Sequence, residues 1–244
     1  MDSLIGSKPN ILIFMTDQQR GSTVLPEHQA KTPNLDKFRQ EGITFDRTFC
    51  PSPHCCPSRA TFFSGLYPTE HGVWNNVAVR NALSRGLNDG VRLWSEDLAD
   101  AGYNLHFSGK WHVSYDEGPE ERGFKVHSIT AGPKKSKVSS MDASWEQYKN
   151  KAESPEPVNR GEAEILRPGY FTYTHYGIRK NPFSDEAQVE GARFALREAA
   201  AHENPWVVYC GTLGPHDPYF VPQKFLDLYD PADIKLPPSF YDRM

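Results

Sequence analysis

Two kinds of apolar pattern alternate along the chain. Short continuous apolar runs stop abruptly at polar clusters, and between them lie longer stretches where apolar residues recur every three or four positions. The first run, Pro9 to Thr16, holds Ile11-Leu12-Ile13-Phe14-Met15 and stops at Asp17-Gln18-Gln19-Arg20. Its length and β-branched content predict a strand buried on both faces. A helix is expected from Thr32 to Glu41, with Thr32 as cap, Pro33 in the first turn, Leu35 and Phe38 facing inward and Gly42 at its end. Ile43 to Phe49 reads as a second strand. The Pro- and Ser-rich stretch Cys50 to His54 reads as a loop, followed by a short helix from Pro57 to Phe63 that stops at Gly65.

Leu93 to Ala101 is predicted to be helical and to close at Gly102. Tyr103 to Ser108 is predicted to be a strand running into Gly109-Lys110-Trp111-His112. From Tyr115 to Pro182 no period is maintained, and we read an irregular insertion. Ser184 is placed to cap a long helix whose first turn carries Asp185 and Glu186, with Val189, Ala192, Leu196 and Ala199 as its buried stripe. Trp206 to Thr212 is a further buried strand that ends at Gly214-Pro215-His216-Asp217-Pro218. Strands that alternate with helices predict an α/β fold with a mostly parallel central sheet flanked by helices. The 244 residues are read as one catalytic domain, 1–244, with the insertion at about 115–182.

In such a fold the carboxyl ends of parallel strands share one edge of the sheet, and ligands bind there. Three runs end in polar clusters: Asp17-Gln18, Lys110-x-His112 and His216-Asp217. Composition adds limits. A net charge of −4 gives no general attraction to nucleic acid or acidic membranes, so an anionic substrate would need local positive charge. The residues Met1 to Lys8 show no basic segment followed by a long apolar one, and we expect a cytoplasmic protein. Of the four cysteines, Cys50, Cys55 and Cys56 cluster near His54, and Cys210 stands apart. A zinc site is one reading of that cluster, but zinc sites pair C-x₂₋₄-C with a second pair downstream, and none follows.

The decisive segment is Cys55-Cys56-Pro57-Ser58-Arg59-Ala60-Thr61-Phe62-Phe63-Ser64-Gly65. It resembles the sulfatase signature, C-x-P-S-R followed by four residues and T-G, with Ser64 in place of the usual Thr. The register selects Cys55, which has Pro two residues on and Arg four residues on. Pro9 to Asp17 resembles the family's opening strand and first metal ligands. Gly109-Lys110-Trp111-His112 is similar to its Lys-x-His element, and Gly214-Pro215-His216-Asp217-Pro218 to its later His element.

The resemblance implies an alkaline-phosphatase-like fold, a divalent metal (usually Ca²⁺) and hydrolysis of sulfate monoesters. It also implies that a separate maturation enzyme oxidises Cys55 to formylglycine. A thiolate could attack sulfur but would have no internal way to release the sulfate. A hydrated aldehyde carries two hydroxyls: one attacks, and the other expels sulfate as the aldehyde re-forms. On this scheme Asp17, Gln18 and the modified Cys55 hold the metal, whose preference is for oxygen ligands. Arg59, one helical turn beyond Cys55, holds the formylglycine and its ligands. Lys110 and His216 bind the sulfate. His112, two residues from Lys110 on an extended segment, positions or deprotonates the second hydroxyl.

Plainer readings stand beside these. His28, His127, His175 and His202 read as surface or satisfied polar residues, and His71 as structural. Trp74, Asn75 and Asn76 follow the signature helix and are candidates to line the pocket. After His216 no Asp followed by His or Asn completes the metal site, so the chain is expected to be the N-terminal part of a sulfatase, inactive or weakly active alone, with possible self-association. The substrate is expected to be a sulfated small molecule or sugar. A phosphate or phosphonate ester hydrolase of the same fold and a non-catalytic sulfatase fragment remain open.

Overall fold

The computed structural model describes residues 8–130, 132, 174–178, 185–217 and 219–236. These fall into two compact units, the first within Met1–Gln18, Cys50–Tyr148 and Pro182–Pro215, the second within Gln19–Phe49, Lys149–Asn181 and His216–Met244.

The first unit is built on a four-stranded, wholly parallel sheet: β1 (Ile11–Met15), β2 (Asn104–Lys110), β3 (Lys125–Thr130) and β5 (Trp206–Gly211), in the spatial order β1-β5-β2-β3. Alternation along each strand divides the side chains between two faces. On one face Leu105 and Phe107 of β2 and Val207 and Tyr209 of β5 pack against Cys56, Ala60 and Phe63 of helix α2 (Cys55–Ser64), with Trp94 and Leu98 of α4 (Trp94–Asp100) beside them. Aromatic rings make up much of this core: Phe63 stacks on Trp94 at 5.4 Å and Phe107 on Tyr209 at 4.8 Å. Each such side chain, fully buried, contributes roughly 1.5–3 kcal/mol. On the other face Val208 and Cys210 meet Ala192 and Ala195 of helix α5 (Asp185–Ala199). The small residues let helix and sheet approach closely, and Ser108 donates to the Gln188 carbonyl at 2.6 Å.

The expected α/β class, with its parallel sheet, is therefore present. Several local expectations need correction. β1 is an edge strand, and only Ile11, Ile13 and Met15 turn toward the core, while Leu12 and Phe14 are 55% and 57% exposed. Reading a continuous apolar run as buried on both faces overlooked that an edge strand can lack a covering helix on one side; among the described residues α5 does not cover this face. The region from 115 to 182 is not irregular throughout, since it contains β3 and the strand β4 (Thr174–Ile178). The Ser184 cap lies outside the described residues. In α5, Ala192 and Ala199 are buried as expected, whereas Val189 and Leu196 are only half-buried; Gln188 and Ala195 complete the inner stripe.

The second unit contains helix α1 (Pro33–Glu41), the two-stranded parallel pair of β4 with β6 (Tyr219–Pro222), and the short α6 (Gln223–Leu226). It is tied by Lys31 N–H to the Tyr229 hydroxyl at 2.7 Å and by Gln29 to the Lys235 carbonyl at 3.0 Å. The α1 boundaries match the pattern, but its inward face does not: Phe38 is 76% exposed and no residue of α1 is buried. Thr32 makes no backbone capping bond, and Gly42 is extended rather than left-handed. Ile43 to Phe49 is not a strand, and Ile43, Phe45 and Phe49 are all exposed. Apolar content without a pairing partner does not make a strand. No helix of the described residues is long and apolar enough to cross a membrane.

One backbone feature controls where the sheet can place side chains. Gly109, at φ +119°, faces Gly211 across the β2–β5 ladder. A Cβ at Gly109 would lie 1.9 Å from the Gly211 carbonyl oxygen. Gly109→Ala is therefore expected to lower the urea-unfolding free energy by at least about 2 kcal/mol, through strained φ and backbone collision together. An unchanged urea midpoint would show that the strand ends are not held in this close register.

Candidate active site

Three chain segments bring charge to the carboxyl edge of the first unit's sheet. β1 ends at Met15, and Asp17 lies just beyond, held by its N–H to the Gly214 carbonyl at 3.2 Å while Thr212 N–H reaches the Met15 carbonyl at 2.9 Å. Lys110 is the last residue of β2. Helix α2 begins at Cys55, two residues earlier than the pattern suggested. His54 is extended at its N-cap, Pro57 is tolerated in its first turn, and left-handed Gly65 ends it with its N–H on the Thr61 carbonyl at 2.8 Å.

These elements converge on the Asp17 carboxylate. Lys110 donates to one of its oxygens, and the Arg59 guanidinium lies 3.7 Å from the other. Arg59 also donates to the Lys110 carbonyl at 2.8 Å and to the Tyr209 hydroxyl at 2.9 Å, and that hydroxyl in turn contacts the Met15 sulfur at 3.3 Å. Asp17, Arg59 and Lys110 are 6%, 3% and 3% exposed. Removing charges from water is costly unless they are paired. Here two cations share one carboxylate, so the cluster carries a net positive charge at the sheet edge. Cys55 occupies the first turn of α2, at the positive end of the helix dipole.

The two adjacent cysteines have different environments. Cys56 is wholly buried: its N–H donates to Asn76 Oδ1 at 3.1 Å, its sulfur accepts from Val77 N–H at 3.4 Å, and burial pushes its thiol up to about 12. Cys55 is half-buried, and its sulfur lies within 4.8 Å of an Asp17 carboxylate oxygen. Cys50 is exposed, while Cys210, pushed up to about 11 by burial, lies under α5.

The structure thus brings Asp17, Cys55, Arg59 and Lys110 together. His112 is placed differently from the expectation. β2 stops at Lys110, and His112 has φ 54°, a left-handed residue rather than the next-but-one position of an extended strand. The alternation argument for its direction does not apply. Gln18 also has a positive φ, 61°, and is exposed. His216 belongs to the second unit, where its Nδ1 lies 2.5 Å from the Asp217 carbonyl oxygen and 3.3 Å from its carboxylate. Asn76 supports the first turn of α2, Asn75 fastens its own loop through Asn81 and Leu83, and Trp74 is half-exposed. His71 is a buried structural residue: Val73 N–H donates to its Nδ1 at 3.1 Å, its Nε2 meets the Thr61 hydroxyl at 3.0 Å, and burial lowers its pKa. Sequence reasoning missed Tyr209, because an aromatic inside an apolar strand run gives no sign that its hydroxyl ends beside a buried arginine.

The sulfatase family model matches residues 9–235, which is nearly the whole chain. The chain belongs to the sulfatase family. This sulfatase-family chain is 28% identical, over 96% of its length, to an ulvan-active sulfatase of Formosa agariphila, of which it covers 40%. It is 29% identical, over 89% of its length, to human N-acetylgalactosamine-6-sulfatase, of which it covers 41%. It thus spans about two-fifths of the length of these curated relatives. Among solved structures, the phosphonate monoester hydrolase of Agrobacterium radiobacter superposes with a TM-score of 0.63 at 22% identity, over 94% of this chain and 45% of that one. That likeness concerns the fold.

Proposed function

We propose that the protein containing this chain hydrolyses sulfate monoesters of a sugar, with Cys55 converted by a maturation enzyme into the formylglycine nucleophile. The observation that carries the proposal is the buried Arg59–Asp17–Lys110 cluster beside Cys55 in the first turn of α2. It offers a positively charged seat for a sulfate group next to the one cysteine of the adjacent pair that is not sealed in the core. The signature, the family match and the sugar sulfatases among the relatives support the same reading.

The residues divide the work. Lys110 and Arg59 bind the sulfate oxygens and hold the reacting group against residue 55, and Tyr209 fixes the guanidinium in place. His112 takes the proton-handling role beside the nucleophile, and His216 supplies a further sulfate contact; both assignments rest on the family pattern. Asp17, within 4.8 Å of the residue 55 side chain, suits a shared divalent cation, and exposed Gln18 would add a neutral oxygen. Such a cation, with Ca²⁺ our choice for an oxygen-rich site, would lower the pKa of the attacking hydroxyl and neutralise sulfate oxygens.

Production with a formylglycine-generating enzyme, followed by peptide mass spectrometry, tests the assignment. We expect the mass change of cysteine-to-aldehyde conversion at Cys55 alone. Conversion at Cys56, or none at either, would overturn it. Comparing sulfate with phosphonate monoesters under the same conditions then decides the substrate class, and faster phosphonate turnover would replace sulfate hydrolysis as the reading.

A further inference from the structure

We propose that His106, His127 and Glu198 form a second metal site, for a divalent transition-metal ion such as Zn²⁺, between the neighbouring strands β2 and β3 and the end of α5. A ring nitrogen of His106 and one of His127 face each other at 2.9 Å, and donor atoms of all three side chains lie within 4.8 Å of one another. Nitrogen donors bound tetrahedrally at about 2.0–2.1 Å sit roughly 3.4 Å apart, so a small opening of the pair admits an ion.

The backbone is shaped to produce this meeting. β2 and β3 pair as His106 with Lys125 and Phe107 with Val126, and then as Ser108 with Ser128. His127 is the extra residue of a bulge, and bulges re-aim side chains. Strand alternation puts His127 on the same side as Lys125, toward α5, where its ring lies 5.6 Å from that of Phe194, and the bulge keeps the next residue, Ser128, on that side as well. Glu198 sits in the last turn of α5. A cavity of about 450 Å³ opens beside the group, lined by Tyr103, His106, Lys125, Glu198 and His202 among others, and gives room for water or a fourth ligand.

The chemistry of the donors selects the ion. Two imidazoles and one carboxylate suit zinc, cobalt, nickel or copper rather than calcium. Each histidine brings one ring nitrogen to the group, and these nitrogens face each other. Glu198 accepts a hydrogen bond from Lys125 on one of its carboxylate oxygens. That lysine is the competitor: it occupies one carboxylate oxygen and must yield, or share, when an ion binds. His106 lies four residues before Lys110 on β2, about 13 Å along the strand, so this site is separate from the candidate catalytic edge. Its role is to pin edge strand β3 to α5.

Titration of the whole chain with Co²⁺, in excess calcium, tests the proposal. We expect one ion bound with visible d–d bands and no thiolate charge-transfer band, and a rise in Tm of several degrees with Co²⁺ or Zn²⁺. His127→Gln and Glu198→Gln should each weaken binding at least tenfold, the scale seen when metal-site groups are removed. Lys125→Met, at an exposed position, should tighten it severalfold by freeing Glu198. The proposal is overturned if the parent shows neither binding nor a Tm shift, if His127→Gln binds as the parent does, or if Lys125→Met weakens binding. A simple His–His hydrogen bond beside a Lys–Glu pair would give the first of these results.

Discussion

Cys55→Ala is expected to abolish sulfate-ester hydrolysis in the complete, matured protein, with kcat/KM falling by about 10⁴-fold or more, while the urea midpoint barely moves. The nucleophile is removed outright, and losses of this order follow when a covalent catalyst disappears. Stability should survive because Cys55 is only half-buried at the start of α2. Cys56→Ala should do the reverse. Its sulfur accepts from Val77 and fills a fully buried position against the sheet, so truncation should cost about 1–2 kcal/mol in unfolding free energy and leave modification and turnover largely in place. Measuring turnover and urea midpoints for both variants checks the pair. Retained hydrolysis in Cys55→Ala, or lost hydrolysis in a folded Cys56→Ala, would place the nucleophile elsewhere.

Arg59→Met should be the most destabilising single change at the site, costing about 3–5 kcal/mol in unfolding free energy. Methionine replaces much of the aliphatic volume, so the loss would come from electrostatics and hydrogen bonds. The Lys110 carbonyl and the Tyr209 hydroxyl would lose a buried donor, and Asp17 would lose one of its cations while keeping Lys110. Asp17 and Lys110 would still compensate each other, so the cost comes from the buried acceptors left without their donor and from the lost attraction to Asp17. Asp17→Asn gives the complementary measurement. It leaves two buried cations facing a neutral amide and should also destabilise, and the double variant should cost less than the two single losses added together. Strict additivity in the urea midpoints would mean that the contact between Arg59 and Asp17 is energetically empty.

Much of this site was legible in the sequence because two of its charged residues end or follow an apolar run and the third is fixed by helical spacing. Asp17 follows the Ile11–Met15 run, Lys110 closes the run that begins at Tyr103, and Arg59 sits four residues after Cys55, one helical turn away. Position along an element is local information. What eluded the pattern depended on neighbours far away in the chain. Leu12 and Phe14 look like core residues until β1 proves to be an edge strand, and Phe38 looks like the inner face of a helix that has no buried residue. His112 failed for a subtler reason: an alternation rule was extended past the last paired residue, into a left-handed position that only the turn after β2 determines. His106 and His127 meet because β2 pairs His106 with Lys125, two residues before His127, and register cannot be read from composition.

The strand order also bears on time. β1 takes its partner from the far end of the sequence, Ile11 beside Val207, and β5 is wedged between β1 and β2. During synthesis Val207 follows Cys55 by roughly 150 residues, so at ~5–20 residues per second about 10–30 s pass before β5 can enter the sheet. Through that interval the Tyr209 surface against which Phe63 packs does not exist, nor does the Gly214 carbonyl that holds Asp17. The segment around Cys55 spends those seconds without the strand that completes its burial. A topology that completes the site late would leave a window for the proposed conversion of Cys55.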